Sequence, residues 1–374
     1  MSIRGRFSDL SRKEEWIIGM KPLRAGIIGC GVIAPTHAEA FSELPDVELV
    51  WACDLDITRA KQLAGTYGIA NTSKSYHEML DSSDVDIISV CTDHASHAPI
   101  VVAALEANKH VLCEKALAAS AEGLDRMLAA HAKRSELVFS GVFQHRFDAA
   151  NQYIKHLIER GTFGTMLSAN LRMYCKRTDE YYQADDWRGT WAQEGGGVMI
   201  NQALHFVDLL SWLTGRVASV CGAYAIRTHE AAIETEDTVV ASLRFESGIL
   251  GSIEATSSSA ESWHPAFSIN GSEGWLEMCN GKPTNLSFTD KDLEEQIRAG
   301  LAGCHDLPGV KTRKSYYGTG HTAQIEDFIA AVREERPPFV SALQAAHAVD
   351  VVLAIYRSQN DGIWVDLPNR IVQE

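Results

Sequence analysis

An α/β fold is predicted: a doubly wound parallel sheet, followed by an α+β domain built on a large antiparallel sheet. Three observations carry this expectation. Between residues 23 and 145, short apolar strands alternate with helical patterns, as in a parallel sheet covered by helices on both faces. After Phe147 the hydrophobic period falls to two, the spacing of half-buried antiparallel strands. The length of 374 residues exceeds what one hydrophobic core usually organises. The expected divisions are an extension over 1–20, the parallel-sheet domain over 21–145 and the α+β domain over 146–374.

In chain order the first domain reads as strand 23–28, helix 34–43, strand 47–53, helix 57–67 and a short strand near 70. Helix 75–80, strand 85–91, helix 97–107, strand 109–113, helix 120–133 and strand 137–142 follow. The second domain opens with helix 148–160. Alternating Leu167, Ala169, Leu171 and Met173 mark its first strand, with others at 217–227, 237–245, 249–256, 266–270 and 274–279. Gly248 marks a hairpin between two of them. The stretch 281–320 is turn-rich and receives no element. Helices 320–334 and 341–359, separated by Pro337-Pro338, and a strand at 363–367 finish the chain.

With 45% hydrophobic and 22% charged residues the composition is that of an ordinary soluble globular protein. A net charge of −15 argues against broad contact with nucleic acid or an anionic membrane, because neither would find a basic stripe for its phosphates. No apolar run approaches the ~20 residues of a membrane span, and residues 1–19 lack a signal-peptide core, so a cytoplasmic protein is expected. The eight cysteines form no C-x-x-C pair and read as reduced thiols. Cys91, His94 and His97 have a metal-like spacing, but no fourth ligand accompanies them and no metal is expected.

Strand 23–28 runs straight into Gly29-x-Gly31-x-x-Ala34 and then into a helix. Gly29 permits the tight bend, Gly31 lets a pyrophosphate approach the backbone, and Ala34 allows close helix packing. The N–H groups at this helix start, around Val32 and Ile33, would face the phosphates. The next strand ends at Asp54, twenty residues after Ala34, where a carboxylate would meet the adenosine ribose. Leu55 and Asp56 follow, with no neighbouring cation for a 2′-phosphate, so NAD is favoured over NADP. The alternative is that Asp54 merely caps the helix from Ile57. The first domain thus reads as a Rossmann domain.

Strand 109–113 delivers Glu114-Lys115 to the same rim of the sheet as the glycine turn. In the second domain, Gly195-Gly196-Gly197 leads into a strongly apolar helix. On it Asn201, His205, Asp208 and Trp212 share one narrow stripe. Such a stripe faces either internal partners or a wet cleft, and an imidazole there suits proton removal from an alcohol. Trp187 and Arg188 offer an aromatic face and a guanidinium for a sugar, or else belong to the core. Gln144 and Arg146, at the domain junction, are placed near any cleft.

With these motifs together, the chain resembles the glucose–fructose oxidoreductase / inositol 2-dehydrogenase (Gfo/Idh/MocA) family of NAD(P)-dependent sugar and polyol dehydrogenases. The likeness runs from Met20 to Leu367 and includes Phe143-Gln144-x-Arg146-Phe147 and His321-x-x-Gln324-x-x-Asp327-Phe328. It implies that Lys115 is the catalytic lysine and His205 the catalytic histidine. Thr92, His97 and Glu114 then match positions at the cofactor. Hydride transfer between a secondary alcohol of a sugar or polyol and NAD is implied, with Asn201 orienting the hydroxyl and Gln144, Arg146, Trp187, Arg188 and Asp208 binding substrate. A homodimer or homotetramer through the C-terminal sheet is also implied.

Three departures stand out. Ala116 replaces the family's proline, and a cis bond before alanine would cost about 3 kcal/mol, so a different presentation of the lysine is expected. Asn201 replaces a common Asp, and Asp93-His94 replaces a common Pro-Asn. An NAD-dependent glycosidase or lyase that oxidises transiently, and a non-catalytic dinucleotide-binding regulator, remain as alternatives.

Overall fold

The computed structural model describes residues 21–304 and 320–370; the extension expected over 1–20 lies outside them. Six parallel strands form the first sheet: β1 (Leu23–Ile28), β2 (Val47–Cys53), β3 (Asn71–Ser73), β4 (Ile87–Val90), β5 (His110–Cys113) and β6 (Phe139–Gly141). Their spatial order is β3-β2-β1-β4-β5-β6, so the order reverses between β1 and β4, where such sheets bind ligands. Five helices join them: α1 (Ala34–Ser42), α2 (Ile57–Tyr67), α3 (Tyr76–Leu80), α4 (His94–Glu106) and α5 (Ala121–Ala132). Local chemistry fixes their ends. Asp56 caps α2 by accepting from Thr58 N, Gly68 closes it at φ 71°, and Ser120 caps α5 by accepting from Gly123 N.

After a 3₁₀ turn, Gln144–Phe147, the second domain contains α6 (Ala149–Glu159), β7 (Met166–Lys176), α7 (Asp179–Gln183) and α8 (Leu204–Thr214). Strands β8 (Val217–Ala225), β9 (Thr238–Phe245), β10 (Leu250–Thr256), β11 (Ser258–Gly271), β12 (Gly274–Cys279) and β13 (Lys282–Phe288) follow. Helices α9 (Lys291–Gly303), α10 (His321–Glu334) and α11 (Ala342–Asp361) and strand β14 (Val365–Asp366) complete it. The eight-stranded sheet has the order β13-β12-β11-β7-β10-β9-β8-β14. All its pairs are antiparallel except β7 with β10. Gly248, at φ 86°, turns the β9–β10 hairpin. Helices α8 and α11 lie against this sheet, and the period-two burial of β9 shows one face covered and the other open.

The chain returns to the first domain near its end. Ile325, Phe328 and Ile329 of α10 share a core with Ala25, Phe41, Ile87 and Leu112 of the parallel sheet and α1. A second, larger core runs unbroken from Ile28 through Phe139 and Leu171 to Tyr356, joining both sheets.

Two elements in the stretch read as turn-rich correct the sequence expectation. Strand β13 is masked by Gly281, Pro283 and Asn285, but it is an edge strand, where proline's missing N–H is tolerated. Helix α9 carries a clear signal: Asp290 accepts from Asp292 N and Leu293 N, and Ile297 and Leu301 are buried four residues apart. Residues 305–319 lie outside the described residues. Among the described residues, no helix is long and apolar enough to cross a membrane, and all eight cysteines are free.

Candidate active site

Gly29 adopts φ 88°, and a Cβ there would lie 2.6 Å from the Cys91 carbonyl group. Only glycine lets β1 turn this close to the end of β4. A Cβ at Gly31 would meet nothing within 4 Å, and Val32 is 63% exposed, so open space lies over the turn that leads through Ile33 into α1. Asp54 accepts from Cys30 N (2.8 Å) and Asp56 N (2.8 Å), tying the end of β2 to the glycine turn. Helix α2 is capped by Asp56, so the capping alternative for Asp54 does not hold. Each Asp54 oxygen keeps a lone pair for a further donor. The turn and this carboxylate fit a dinucleotide's pyrophosphate and ribose.

Strand β5 leads into Glu114 and Lys115. The Lys115–Ala116 peptide is cis, contrary to the expectation from the Ala116 departure. His97 is fully buried and reaches the carbonyl oxygens of Ala116 (2.7 Å) and Thr92 (3.2 Å) with its two ring nitrogens. It therefore braces the lysine turn against the half-buried Thr92 loop, rather than lining a cofactor surface as expected. Glu114 is also buried: His37 Nε2 lies 2.9 Å from its Oε1, and Lys115 N donates to its Oε2. Burial opposes both charges. The pairing outweighs it, holding Glu114 below the usual carboxylate range and, with Cys91, raising His37 to about 10. Glu114, expected at the cofactor, thus also carries an internal ion pair with His37.

Lys115 crosses to the second domain. Its Nζ donates to the Asn201 carbonyl oxygen and to Asn201 Oδ1, both at 2.9 Å. The regular helical stripe expected here begins instead with a π-helical turn, Met199–Ala203; the wider turn presents both Asn201 oxygens to one cation. Asn201 Nδ2 donates in turn to Glu194 Oε1. Glu194 is buried and also accepts from Gly189 N (2.5 Å). Burial pushes its pKa up to about 7 and lowers that of Lys115, which Glu114 and Glu194 partly restore. The Asn201 side chain is thus engaged at both ends by protein and holds Lys115, while its amide keeps one N–H and one lone pair for the substrate-orienting role expected of it.

His205 lies one helical turn beyond Asn201. Its ring meets Phe143 at 5.7 Å and His145 at 5.6 Å, both edge-on, and its Nδ1 has no partner among the described residues. Burial, the Lys115 ammonium and the imidazoles of His145 and His321 hold its pKa well below 6.5. It is therefore a neutral imidazole at neutral pH, able to accept a proton.

Arg146 and Asp208 were expected to bind substrate. Instead they are buried against each other, with Nε to Oδ2 at 2.8 Å and Nη2 to Oδ1 at 2.5 Å, while Nη1 donates to Gln344. A fork closed in this way supports the floor of α8 and has no donor pair left for a ligand. Gln144 is likewise buried. Trp187 and Arg188 remain at the site: the Trp187 ring lies 5.4 Å from that of His94, whose Nδ1 is 2.8 Å from the Glu194 carbonyl oxygen. A separate cavity of about 860 Å³, lined by Trp191, Gly195, Tyr224 and Tyr356, contains neither Lys115 nor His205.

Sequence reasoning missed Glu194, His37, Gln202 and Tyr181. Glu194 could have been noticed as the acid directly before the glycine triplet. His37 carried no signal beyond being a polar residue among the alanines of α1.

Residues 23–142 match the model described as "Oxidoreductase family, NAD-binding Rossmann fold", and residues 151–277 match the GFO/IDH/MocA C-terminal domain. The chain is 26% identical over 324 residues to myo-inositol 2-dehydrogenase of Thermotoga maritima, covering 85% of this chain and 91% of that protein. It is 26% identical over 392 residues to levoglucosan dehydrogenase of Pseudarthrobacter phenanthrenivorans, covering 93% and 99%. The WlbA dehydrogenase from Bordetella pertussis, solved with NADH and UDP-GlcNAcA, superposes with a TM-score of 0.83 at 29% identity, covering 93% of this chain and 99% of that one. With both domain models matched in order and the glycine turn, Asp54, Lys115 and His205 in one fold, the chain belongs to the GFO/IDH/MocA family of NAD-binding oxidoreductases.

Proposed function

We propose that the protein oxidises a secondary alcohol of a sugar, inositol or sugar derivative with NAD, or runs the reverse reduction. One observation carries the reading: the Lys115 ammonium of the parallel-sheet domain is seated on Asn201, one turn before the neutral imidazole of His205 in the other domain. Gly29, Gly31, Val32 and Ile33 would hold the pyrophosphate, Asp54 the adenosine ribose, and Thr92 borders the same rim. Bound NAD supplies the hydride acceptor.

His205 takes the hydroxyl proton. Lys115 uses two donors on Asn201 and keeps a third for the substrate oxygen, where negative charge builds as the proton leaves. The ammonium also disfavours a second positive charge on His205, which keeps that base unprotonated. Trp187 offers an aromatic face for the C–H side of a sugar ring.

An NAD-reduction screen over free sugars, inositols, sugar acids and nucleotide sugars tests the reading, with His205→Ala and Lys115→Ala as controls. NADH should accumulate with at least one substrate and vanish in both variants. Turnover without NADH accumulation would favour the transient-oxidation glycosidase or lyase instead.

The open face of the second sheet exposes Val240 and Leu250. This supports self-association of two or four copies there, which light scattering would measure. Free thiols suit a reducing compartment, and we infer a cytoplasmic location.

A further inference from the structure

We propose that the substrate carries an oxyanion, a carboxylate or a phosphate, read by Arg177 and Arg188. This rests on the Lys115–His205 site being the substrate pocket of the dehydrogenase above.

Both guanidiniums lie over the Tyr181 ring, Arg188 Cζ at 4.5 Å and Arg177 Cζ at 4.9 Å from its centre. Tyr181 is tied to the site: its hydroxyl accepts from Gln202 Nε2 at 3.1 Å, next in sequence to the Asn201 that holds Lys115. Both arginines also stand close enough to Lys115 for their charges to lower its pKa. Three cations therefore converge on one corner of a chain whose net charge is −15.

Their counter-charges are incomplete. Arg188 spends one nitrogen on Asp185, at 2.7 Å. Arg177 has no ion pair among the described residues; its Nη1 donates to the Lys176 carbonyl oxygen, and its guanidinium otherwise meets only the neutral Tyr181 and Trp263. Each keeps a buried Nε without a partner among the described residues. Glu194, its pKa raised to about 7 by burial, is only partly charged near neutrality, and Glu114 is paired with His37. Arg146, whose fork is closed on Asp208, shows what a purely structural arginine looks like here. An unfilled guanidinium pair beside an ammonium is a receptor for a planar or tetrahedral oxyanion. Seating that group here would fix which carbinol faces His205.

The test is calorimetric titration of the NADH-loaded enzyme with glucuronate, gluconate and glucose 6-phosphate, each against glucose and myo-inositol. At least one acid should bind about tenfold more tightly than the neutral sugars, with a preference that shrinks as salt is raised. The carboxylate and phosphate arms identify the oxyanion. In the Arg177→Gln/Arg188→Gln double variant, checked for retained NADH binding, the preference should fall to within about twofold. Neutral sugars binding as tightly as every acid would overturn the proposal, as would a preference unchanged in the double variant. Should that variant lose NADH binding, the wild-type ratio decides. The titration needs no turnover, so acid-selective binding without NAD reduction would sink the dehydrogenase and spare the oxyanion site. NAD reduction by neutral sugars with no acid preference would do the reverse.

Discussion

Asn201 grips the Lys115 ammonium with two oxygens, one from its backbone and one from its side chain, each at 2.9 Å. The backbone contact survives any substitution and the side-chain contact does not. Asn201→Ala should therefore loosen the ammonium without releasing it, lowering kcat by about ten- to a hundredfold while leaving the KM for NAD nearly unchanged. Steady-state kinetics with each substrate varied in turn would show the split.

Lys115→Ala removes the ammonium itself. Turnover should fall by about 10²–10⁴, with NADH affinity, read by fluorescence titration, changing far less. Equal losses in both would contradict the assigned role.

The pH profile has two separate signatures. His205 is held well below 6.5, so its proton is absent across the neutral range and the acid limb of kcat/KM for alcohol oxidation should lie below 6.5. Glu194 titrates near 7: as pH rises through that value it becomes negative, stabilises charged Lys115 through Asn201, and should change the rate in a step. In Glu194→Gln the step near 7 should disappear and the lower limb remain. A profile identical to wild type would remove Glu194 from the network.

Asp54 serves the glycine turn as well as the ribose. In Asp54→Ala, kcat/KM for NAD should drop about tenfold or more. The NAD-to-NADP preference should narrow, because the carboxylate no longer repels a 2′-phosphate. Parallel assays with both cofactors would measure the ratio.

Asp208→Ala would strand a buried guanidinium. Arg146 is 4% exposed and its fork is closed on that carboxylate, so a loss of roughly 3–5 kcal/mol in folding stability is expected. Chemical denaturation of wild type and variant would show it as a lowered midpoint.

The parallel sheet was legible because period, glycine turn and strand-end carboxylate are local signals. Lys115 and His205 stood out by place, one at a strand end on the sheet rim and one on a polar helical stripe, and the resemblance gave them their roles. Their approach rests on contacts 86 residues apart that no pattern displays. Arg146 was placed at the cleft by the domain junction, Asp208 by its helical stripe, and Glu114 and His97 by the resemblance. Each finds a partner inside the protein, because buried polar residues satisfy one another as readily as they satisfy a ligand. Residues 199–203 were expected to be ordinary helix, since a π turn has no compositional mark.

A Cβ at Gly195 would sit 2.2 Å from the Ala119 carbonyl oxygen, and one at Gly197 1.9 Å from that of Glu236. Main chain is thus butted against main chain where the lysine turn meets the histidine helix. The spacing between acid and base is gauged by bare backbone, which point mutation elsewhere leaves alone. The segment from Arg177 to Trp191 is tied to that gauge by main chain, Thr190 O accepting from Gly195 N at 3.2 Å and Gly189 N donating to Glu194. New specificities can therefore be tried in its side chains while those backbone bonds keep the reactive distance constant.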